Sequence, residues 1–229
     1  MIKIPKFTEQ SMYDYETYFH LSMNNERLAK FLAHYEAYKM SNSVPGDIVE
    51  CGVFKGTSFV RLAMMRKLMG GDFNTRLIAF DIFSDKYPDT KFKEDKEQRK
   101  FWIKTAGASS ISVKQLNNIL KKKKIDNFQL VKGDVLKTIP SFKKKNPGIK
   151  ISLLNIDIDF VEPTVCVLEN FYDNVTKGGI ILFDNYAGRG SSGKYLHGDT
   201  VGIDNFLKKK NIQIKKFPFA SRPCYLIKK

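Results

Sequence analysis

The sequence predicts an α/β fold with a mostly parallel seven-stranded sheet, an antiparallel edge strand, helices on both faces and extra helices at the N-terminus. Short apolar runs alternate with amphipathic helical patterns, which is typical of parallel strands joined by helices. The first run leads through a glycine turn into a helix, and acidic side chains follow several of the runs. The chain has 229 residues. We expect one domain over residues 1–229, because α/β folds of this length often remain undivided.

The composition is that of a globular protein with a large positive charge. Hydrophobic residues make up 42% of the chain and the formal net charge is +15. That charge suits nucleic acid, a membrane surface or a phosphorylated substrate. However, most of the excess lies in lysine runs at predicted helix ends, where cations are favourable against the helix dipole. The chain has no long apolar run, and its three cysteines show neither metal nor disulfide spacing. We expect a cytoplasmic protein without membrane contact, and nucleic acid is disfavoured as a partner.

The N-terminal region, residues 1–45, is predicted to add helices before the first strand. Asn24 or Asn25 is expected to cap the longer helix. Apolar residues recur there at helical spacing: Leu28, Phe31, Leu32, Tyr35 and Tyr38. These helices are expected to pack on the sheet, while covering a ligand or forming a homo-oligomer is the open alternative.

Residues 46–58 read GDIVECGVFKGTS, which is a strand, a glycine turn and the start of a helix. Such a turn brings backbone close to a ligand and aims the helix N-terminus at it. Residue 54 is Phe where the dinucleotide fingerprint has its second glycine. A ligand with a cationic amino-acid end, such as S-adenosylmethionine, would suit the carboxylate of Glu50, although an ordinary strand-to-helix turn is the alternative. The predicted cofactor contacts here are Glu50, Gly52, Val53, Phe54, Gly56, Thr57 and Ser58.

The second and third strands are predicted to end in two further cofactor contacts. Asp81 closes the run RLIAFD, where an acidic residue accepts hydrogen bonds from ribose hydroxyls in nucleoside-binding folds, and a strand-end cap is the alternative. Asp134, in Lys-Gly-Asp after the third strand, is placed to reach an adenine amino group or to cap the next helix. The neighbouring predicted contacts are Ile82, Phe83 and Gly133. Residues 84–112 are polar and are interpreted as an insertion that acts as a lid or substrate wall.

Acidic and amide side chains also follow the fourth and fifth strands. Asp157 and Asp159 come after KISLLNI, and Asp184 and Asn185 come after IILF. Parallel strands place their carboxyl ends at one edge of the sheet, where open α/β folds bind ligands. Unpaired carboxylates at neighbouring ends would repel one another, so their convergence predicts a cation between them.

The remaining segment combines a polar loop with edge strands. Residues 187–199 are rich in Gly and Ser and include His197, and they are predicted to form a mobile loop. A helix is expected over 200–210. Two strand-like runs, at 212–217 and 224–227, are expected to pair antiparallel at the sheet edge.

These motifs resemble the macrocin O-methyltransferase family of class I S-adenosylmethionine-dependent sugar O-methyltransferases. The resemblance covers residue 24 to the end and implies a Rossmann-like class I methyltransferase fold. It rests on PGDIVECGV with Lys-Gly following, on FDIF, and on DIDF with a later Thr. It also rests on Gly-Gly, on Asp-Asn-Tyr and on VGIDNF. The sequence departs from the family at Asn185, where Asp is usual, and at Phe160, where Tyr is usual.

The resemblance implies S-adenosylmethionine and Mg²⁺ (or another divalent cation) as cofactors. It places the metal on Asp157, Asp184 and Asn185, with Asp157 also near the cofactor, and the loss of one charge at Asn185 should weaken the metal's hold. It assigns proton removal to Asp159, and His197 is the rival base because its ordinary pKa lies near neutrality. The expected acceptor is a hydroxyl of a sugar or nucleotide sugar. A catechol-type O-methyltransferase, a nucleic-acid methyltransferase and a non-catalytic binding protein are the alternatives.

Overall fold

A computed structural model describes residues 1–70, 74–86, 89–188, 197–208, 210 and 212–229. The strands are β1 (Asp47–Cys51), β2 (Leu77–Asp81), β3 (Phe128–Lys132), β4 (Ile151–Ile156), β5 (Val175–Phe183), β6 (Lys215–Lys216) and β7 (Cys224–Ile227). The helices are α1 (Glu9–Ser22), α2 (Asn25–Ser41), α3 (Thr57–Leu68), α4 (Lys93–Ala106), α5 (Val113–Lys122), α6 (Val135–Lys145), α7 (Val161–Phe171) and α8 (His197–Leu207). None of these helices has the length and apolar character needed to cross a bilayer.

All seven strands join one sheet in the order β3-β2-β1-β4-β5-β7-β6. Strands β1 to β5 pair in parallel, β7 pairs antiparallel with β5, and β6 pairs antiparallel with β7. This confirms the predicted mostly parallel sheet with an antiparallel edge. The chain runs outward from β1 in one direction and from β4 in the other, so the carboxyl ends of β1 and β4 flank the switch point where open α/β sheets bind ligands.

Two hydrophobic layers cover the sheet because successive strand residues point to opposite faces. On β1, Ile48 packs in the layer that contains α2, α3 and α5, while Val49 packs in the layer that contains α6, α7 and α8. Both side chains are almost completely buried. The sheet is therefore covered on both faces, and its carboxyl edge is left for function.

Helix α2 packs on the sheet as predicted, but through a different face. Asn24 is its N-cap and accepts a hydrogen bond from Arg27 N at 3.1 Å. The predicted apolar positions Phe31 and Tyr35 are exposed, and the buried positions are Ala29, Ala33, His34, Ala37, Tyr38 and Ser41. Small side chains let the helix approach the sheet closely, so Phe31 and Tyr35 lie on its outer side, and Tyr38 is the one predicted apolar position that is buried. This close approach brings α2 to the carboxyl edges of β4 and β5.

Four predicted segments differ from the structure. Helix α1 contains no buried residue, so the expectation that it packs on the sheet is wrong. The polar segment 84–112 holds helix α4, whose Asp95 and Gln98 are buried. Strand β5 begins at Val175, well before the predicted run IILF, and includes Gly178, which has φ +84°. Of the predicted loop 187–199, residues 189–196 lie outside the described residues, and helix α8 already begins at His197.

Candidate active site

The turn after β1 is a tight backbone cradle. Gly52 has φ +91°, Phe54 has φ +50°, and Gly56, with φ +84°, is the N-cap of α3. A Cβ at Gly52 would overlap the backbone carbonyl of Asp157. Only glycine therefore fits at the point where the ends of β1 and β4 meet.

Asp81, at the end of β2, holds this turn. Its Oδ2 accepts hydrogen bonds from Val53 N at 2.7 Å and Phe54 N at 3.0 Å, and its Oδ1 accepts from Phe83 N at 2.7 Å. A carboxylate has about four acceptor positions, so one position on Oδ1 remains. Asp81 thus acts as a strand-end cap and also retains an acceptor position for a ligand hydroxyl.

Glu50 lies behind the turn. Its side chain is fully buried, and its Oε1 accepts a hydrogen bond from Ser58 Oγ at 2.6 Å. Burial raises the pKa of Glu50 to about 8, against the opposing effect of the Ser58 hydrogen bond. Glu50 therefore links β1 to α3 beneath the surface that a ligand would contact.

A cavity of about 260 Å³ opens above the carboxyl edge, several times the ~30 Å³ that one water molecule occupies in the liquid. Seven predicted cofactor contacts line it: Gly52, Phe54, Asp81, Ile82, Gly133, Asp134 and Asp157. The other predicted contacts stand outside this lining: Glu50, Val53, Gly56, Thr57, Ser58 and Phe83. Asp134 also caps α6, since its Oδ1 accepts from Leu136 N at 3.0 Å. Trp102 and Ala106 of α4 form part of the opposite wall.

The predicted metal ligands do converge, but around a lysine. Lys30 of α2 forms an ion pair with Asp184 Oδ2, and its Nζ lies 3.4 Å from Asp157 Oδ2. Asn185 Nδ2 lies 3.2 Å from Asp157 Oδ1 and 3.5 Å from Asp159 Oδ1. The Lys30 side chain is 19% exposed and that of Asp184 is completely buried. In the described part of the chain, no group of three or more His, Cys, Asp or Glu side chains is arranged to hold a metal ion.

A second basic side chain, that of Arg61, is linked to Asp184 through the buried histidine His34. Arg61 Nη1 lies 2.7 Å from His34 Nδ1, and His34 Nε2 lies 3.2 Å from Asp184 Oδ1. Arginine can only donate, so Nδ1 accepts and the proton of the neutral ring is on Nε2, which donates to Asp184. Burial lowers the pKa of His34, which agrees with the neutral ring.

The two carboxyl groups that face Lys30 have opposite pKa shifts. Burial disfavours the charge of Asp184, but the ammonium of Lys30 and the hydrogen bond from His34 outweigh it and hold the pKa of Asp184 well below its usual range. Burial and the neighbouring charge of Asp184 raise the pKa of Asp157, against the attraction of Lys30. Asp184 is therefore the anionic centre of the cluster.

Asp159 lines the cavity beside Asp157, and helix α8 covers it from behind. A Cβ at Gly198 would overlap the backbone carbonyl of Asp159, so α8 begins directly against that residue. Asp199, in the first turn of α8, is completely buried, and among the residues that the structure describes neither of its carboxylate oxygens has a hydrogen-bond partner. Burial and then the charges of Asp159 and Asp157 raise its pKa well above the ordinary value. The side chain of His197 lies outside the described residues.

The sequence patterns described above did not point to Lys30, His34 and Asp199. A signal for the first two exists, since residues four apart share one face of a helix. That face of α2 also carries Ala33 and Ala37, so two basic side chains interrupt an otherwise small and apolar stripe. Asp199 carries no comparable signal, because an acidic residue in a first helical turn is also explained by the helix dipole.

A comparison with known protein families shows which family this chain belongs to. The macrocin O-methyltransferase (TylF) family matches residues 10–211. The chain belongs to this family. Among curated proteins, it is 25% identical over 153 residues to 8-demethyl-8-(2,3-dimethoxy-alpha-L-rhamnosyl)-tetracenomycin-C 4'-O-methyltransferase of Streptomyces olivaceus. That match covers 65% of this chain and 56% of the relative, so it spans little more than half of the relative's length.

Solved structures of methyltransferases share the fold. The calicheamicin methyltransferase CalS11 superposes with a TM-score of 0.71 at 21% identity, over 96% of this chain and 87% of the other. An apo structure of CalS11, described as a TDP-rhamnose 3'-O-methyltransferase, gives 0.64 at 22% identity, over 96% and 88%. The methyltransferase PaMTH1 of Podospora anserina, bound to SAH, gives 0.53 at 14% identity over 100% of both chains. These likenesses confirm the predicted Rossmann-like class I methyltransferase fold.

Proposed function

We propose that this member of the macrocin O-methyltransferase family is an S-adenosylmethionine-dependent O-methyltransferase that acts on a sugar hydroxyl in the biosynthesis of a glycosylated natural product or glycan. The observation that carries the proposal is that the Asp81 carboxylate accepts hydrogen bonds from the backbone of the glycine turn. This carboxylate fixes the backbone of Val53 and Phe54, and Phe54 lines the same cavity as Asp157 and Asp159. Within one cavity, a wall at the ends of β1 and β2, the cofactor wall, thus faces a wall at the ends of β4 and β5, the acidic wall.

The cradle fits the proposed cofactor. The remaining acceptor position of Asp81 suits a ribose hydroxyl, and Ile82 and Val135 give the neighbouring wall apolar surface for a base. When bound, S-adenosylmethionine supplies a methyl group on a sulfonium: the acceptor oxygen forms the new O–C bond, the C–S bond breaks, and its electron pair stays on sulfur. Gly52 and Phe54 would then hold the amino-acid end, because they line the junction with β4.

The acceptor hydroxyl must lose a proton during this transfer, and Asp159 is our choice for the base. Its carboxylate lies on the cavity wall, and Asn185 Nδ2, 3.5 Å from Asp159 Oδ1, helps to orient it. A base must lie within hydrogen-bond reach of the proton it takes, and a carboxylate on a strand end is well positioned for that. His197 stays the rival, at the first position of α8.

The predicted Mg²⁺ site on Asp157, Asp184 and Asn185 does not fit the contacts that these side chains make. Magnesium needs oxygen ligands in octahedral geometry and binds through carboxylates that are free to coordinate it. Here Lys30 contacts both Asp157 and Asp184, and His34 donates to the second oxygen of Asp184. Asn185 presents its amide Nδ2, not an oxygen, to Asp157. The proposed mechanism therefore includes no metal.

Basic side chains in the cavity lining support an anionic acceptor such as a nucleotide sugar. Arg27, Lys86 and Arg222 contribute to its lining, and Arg222 also pairs with Glu26 at 2.7 Å. Guanidinium groups bind phosphate oxygens in a bidentate manner. A nucleoside diphosphate sugar should then be methylated faster than the matching neutral glycoside, with a rate that falls as salt screens the charges. Equal rates for both acceptors at low and high salt would argue for a neutral sugar substrate.

The test is calorimetric titration of S-adenosylmethionine into wild type, followed by transfer assays with nucleotide sugars and neutral glycosides. We expect one binding site and formation of SAH together with an O-methyl sugar, identified by mass spectrometry. An Asp81→Ala variant should lose cofactor binding, whereas Asp173→Ala, an exposed carboxylate far from the cavity, should retain it. Absence of cofactor binding at millimolar concentration would refute the proposal.

A further inference from the structure

We propose that the ammonium of Lys30 is a built-in cation that occupies the position of a divalent metal, so that the enzyme works without one. The inference rests on the proposed function and concerns how its acidic wall is held together. It follows from the contacts of one side chain at the carboxyl ends of β4 and β5.

The first observation is that every oxygen of Asp157 and Asp184 already faces a protein nitrogen. Lys30 Nζ lies against Asp184 Oδ2 and 3.4 Å from Asp157 Oδ2. His34 Nε2 donates to Asp184 Oδ1, and Asn185 Nδ2 lies 3.2 Å from Asp157 Oδ1. The four carboxylate oxygens that a metal would use are therefore all engaged.

The second observation is how firmly Lys30 is placed. It enters from α2, whose small residues Ala29, Ala33 and Ala37 pack it closely on the sheet. His34, one turn later on the same face, reaches the other side of Asp184 and is supported by Arg61. Two successive turns of α2 therefore both contact the buried carboxylate of Asp184, which holds Lys30 in place.

The third observation is electrostatic. A divalent ion placed between Asp157 and Asp184 would lie in direct contact with the Lys30 ammonium, and like charges at that distance repel strongly where water is excluded. The amide at Asn185 adds no compensating negative charge. Lysine instead balances Asp184 with a single positive charge, so the buried carboxylate needs no second cation.

Lys30 is a positioning residue in this scheme. Its ammonium keeps Asp157 and Asp184 together, and Asp157 in turn shares Asn185 with Asp159. The acceptor is oriented by the shape of the cavity and by Asp159. The divalent ion that would otherwise draw these side chains together is not required.

The experiment titrates Mg²⁺, and Mn²⁺ with detection by electron paramagnetic resonance, into the S-adenosylmethionine complex. It compares wild type, Lys30→Met, Lys30→Arg and Lys39→Met. Lys39 is the matched control because it lies on the same helix with its side chain 57% exposed. We expect no specific metal site in wild type, Lys30→Arg or Lys39→Met. In Lys30→Met we expect a new site that binds the metal at least about tenfold more tightly than wild type does. Wild-type turnover should withstand EDTA, and Mg²⁺ should restore turnover to Lys30→Met.

A specific metal site in wild type as tight as in Lys30→Met, or loss of wild-type turnover in EDTA, would overturn the inference. The wild-type titration decides the matter even where Lys30→Met does not fold. Cofactor binding is measured first in each protein. Its absence in wild type would count against the proposed function, whereas cofactor binding together with a wild-type metal site would count against the role of Lys30 alone.

Discussion

The two walls of the cavity are built on different principles. The cofactor wall, from β1 and β2, is shaped by backbone: left-handed glycines, and three amide hydrogens that converge on Asp81. The acidic wall, from β4 and β5, is shaped by charged side chains, with Asp184 held by Lys30 and His34. Backbone geometry suits a ligand whose shape is constant, whereas side-chain charges are where members of a fold diverge in chemistry. Substitutions on the first wall should therefore change cofactor affinity, and those on the second should change turnover.

The largest expected effect tests the acidic wall. Asp159→Asn should lower kcat by about 10²–10⁴-fold, the usual contribution of a general base, with cofactor affinity unchanged. His197→Ala should lower it far less. Steady-state kinetics at saturating cofactor, with calorimetry for binding, measure both quantities. The exposed Asp173→Asn serves as control. Normal turnover in Asp159→Asn combined with loss in His197→Ala would assign the base to His197.

Gly52→Ala tests the cofactor wall. A Cβ there would overlap the carbonyl of Asp157, and its φ of +91° is unfavourable for alanine. Strain of this kind costs about 1–3 kcal/mol, so cofactor affinity should fall by about tenfold or more. Gly148→Ala is the control, since its Cβ would meet no atom within 4 Å. A variant that keeps wild-type affinity would show that the turn is not the cofactor cradle.

Asp81→Asn is expected to have a smaller effect on the same wall. The amide retains one acceptor oxygen but replaces the other with a donor, so at least one of the amides of Val53, Phe54 and Phe83 loses its partner. A buried unsatisfied donor costs about 1–3 kcal/mol. We expect a loss of cofactor affinity close to tenfold, measured by calorimetry. A lower kcat at saturating cofactor with unchanged cofactor affinity would contradict the assignment of Asp81 to cofactor binding.

The smallest expected effect on ligand binding is that of Glu50→Gln, because Glu50 lies beneath the cradle. The folded-state pKa of about 8 exceeds the ordinary 4.5. Below pH 4.5 the carboxyl is protonated in both states. As pH rises towards 8, ionisation favours the unfolded chain and the free energy of unfolding falls, by a few kcal/mol at most.

Glu50→Gln should not show this decline. Urea denaturation of both proteins from pH 4.5 to above pH 8 measures the effect. The stability of wild type relative to Glu50→Gln should fall as pH rises and level off only above the folded-state pKa. A difference that is independent of pH would mean that Glu50 titrates normally. Cofactor affinity near neutral pH should change by less than about threefold.

Much of the fold followed from local pattern. The five parallel strands, the glycine turn and the helix caps at Asn24 and Asp134 are encoded in segments of a few residues, where periodicity and capping act directly. The N-terminal helices were harder, because the sequence shows which residues are apolar but not which face finds a partner. On α2 the alanines and Tyr38 are buried, whereas Phe31 and Tyr35 are exposed, and on α1 no residue is buried.

The sequence by itself determined that carboxylates gather at one edge of the sheet, since parallel strands allow no other arrangement. It did not determine what balances them. Asp157 and Lys30 are separated by 127 positions in the chain, and only the packing of α2 against the ends of β4 and β5 brings them together. Local patterns therefore decided the cofactor wall, where a glycine turn donates its backbone amides to a carboxylate at the end of the next strand, 28 positions away at most. Tertiary structure decided the acidic wall, because long-range packing selects the charged side chain that reaches a buried carboxylate.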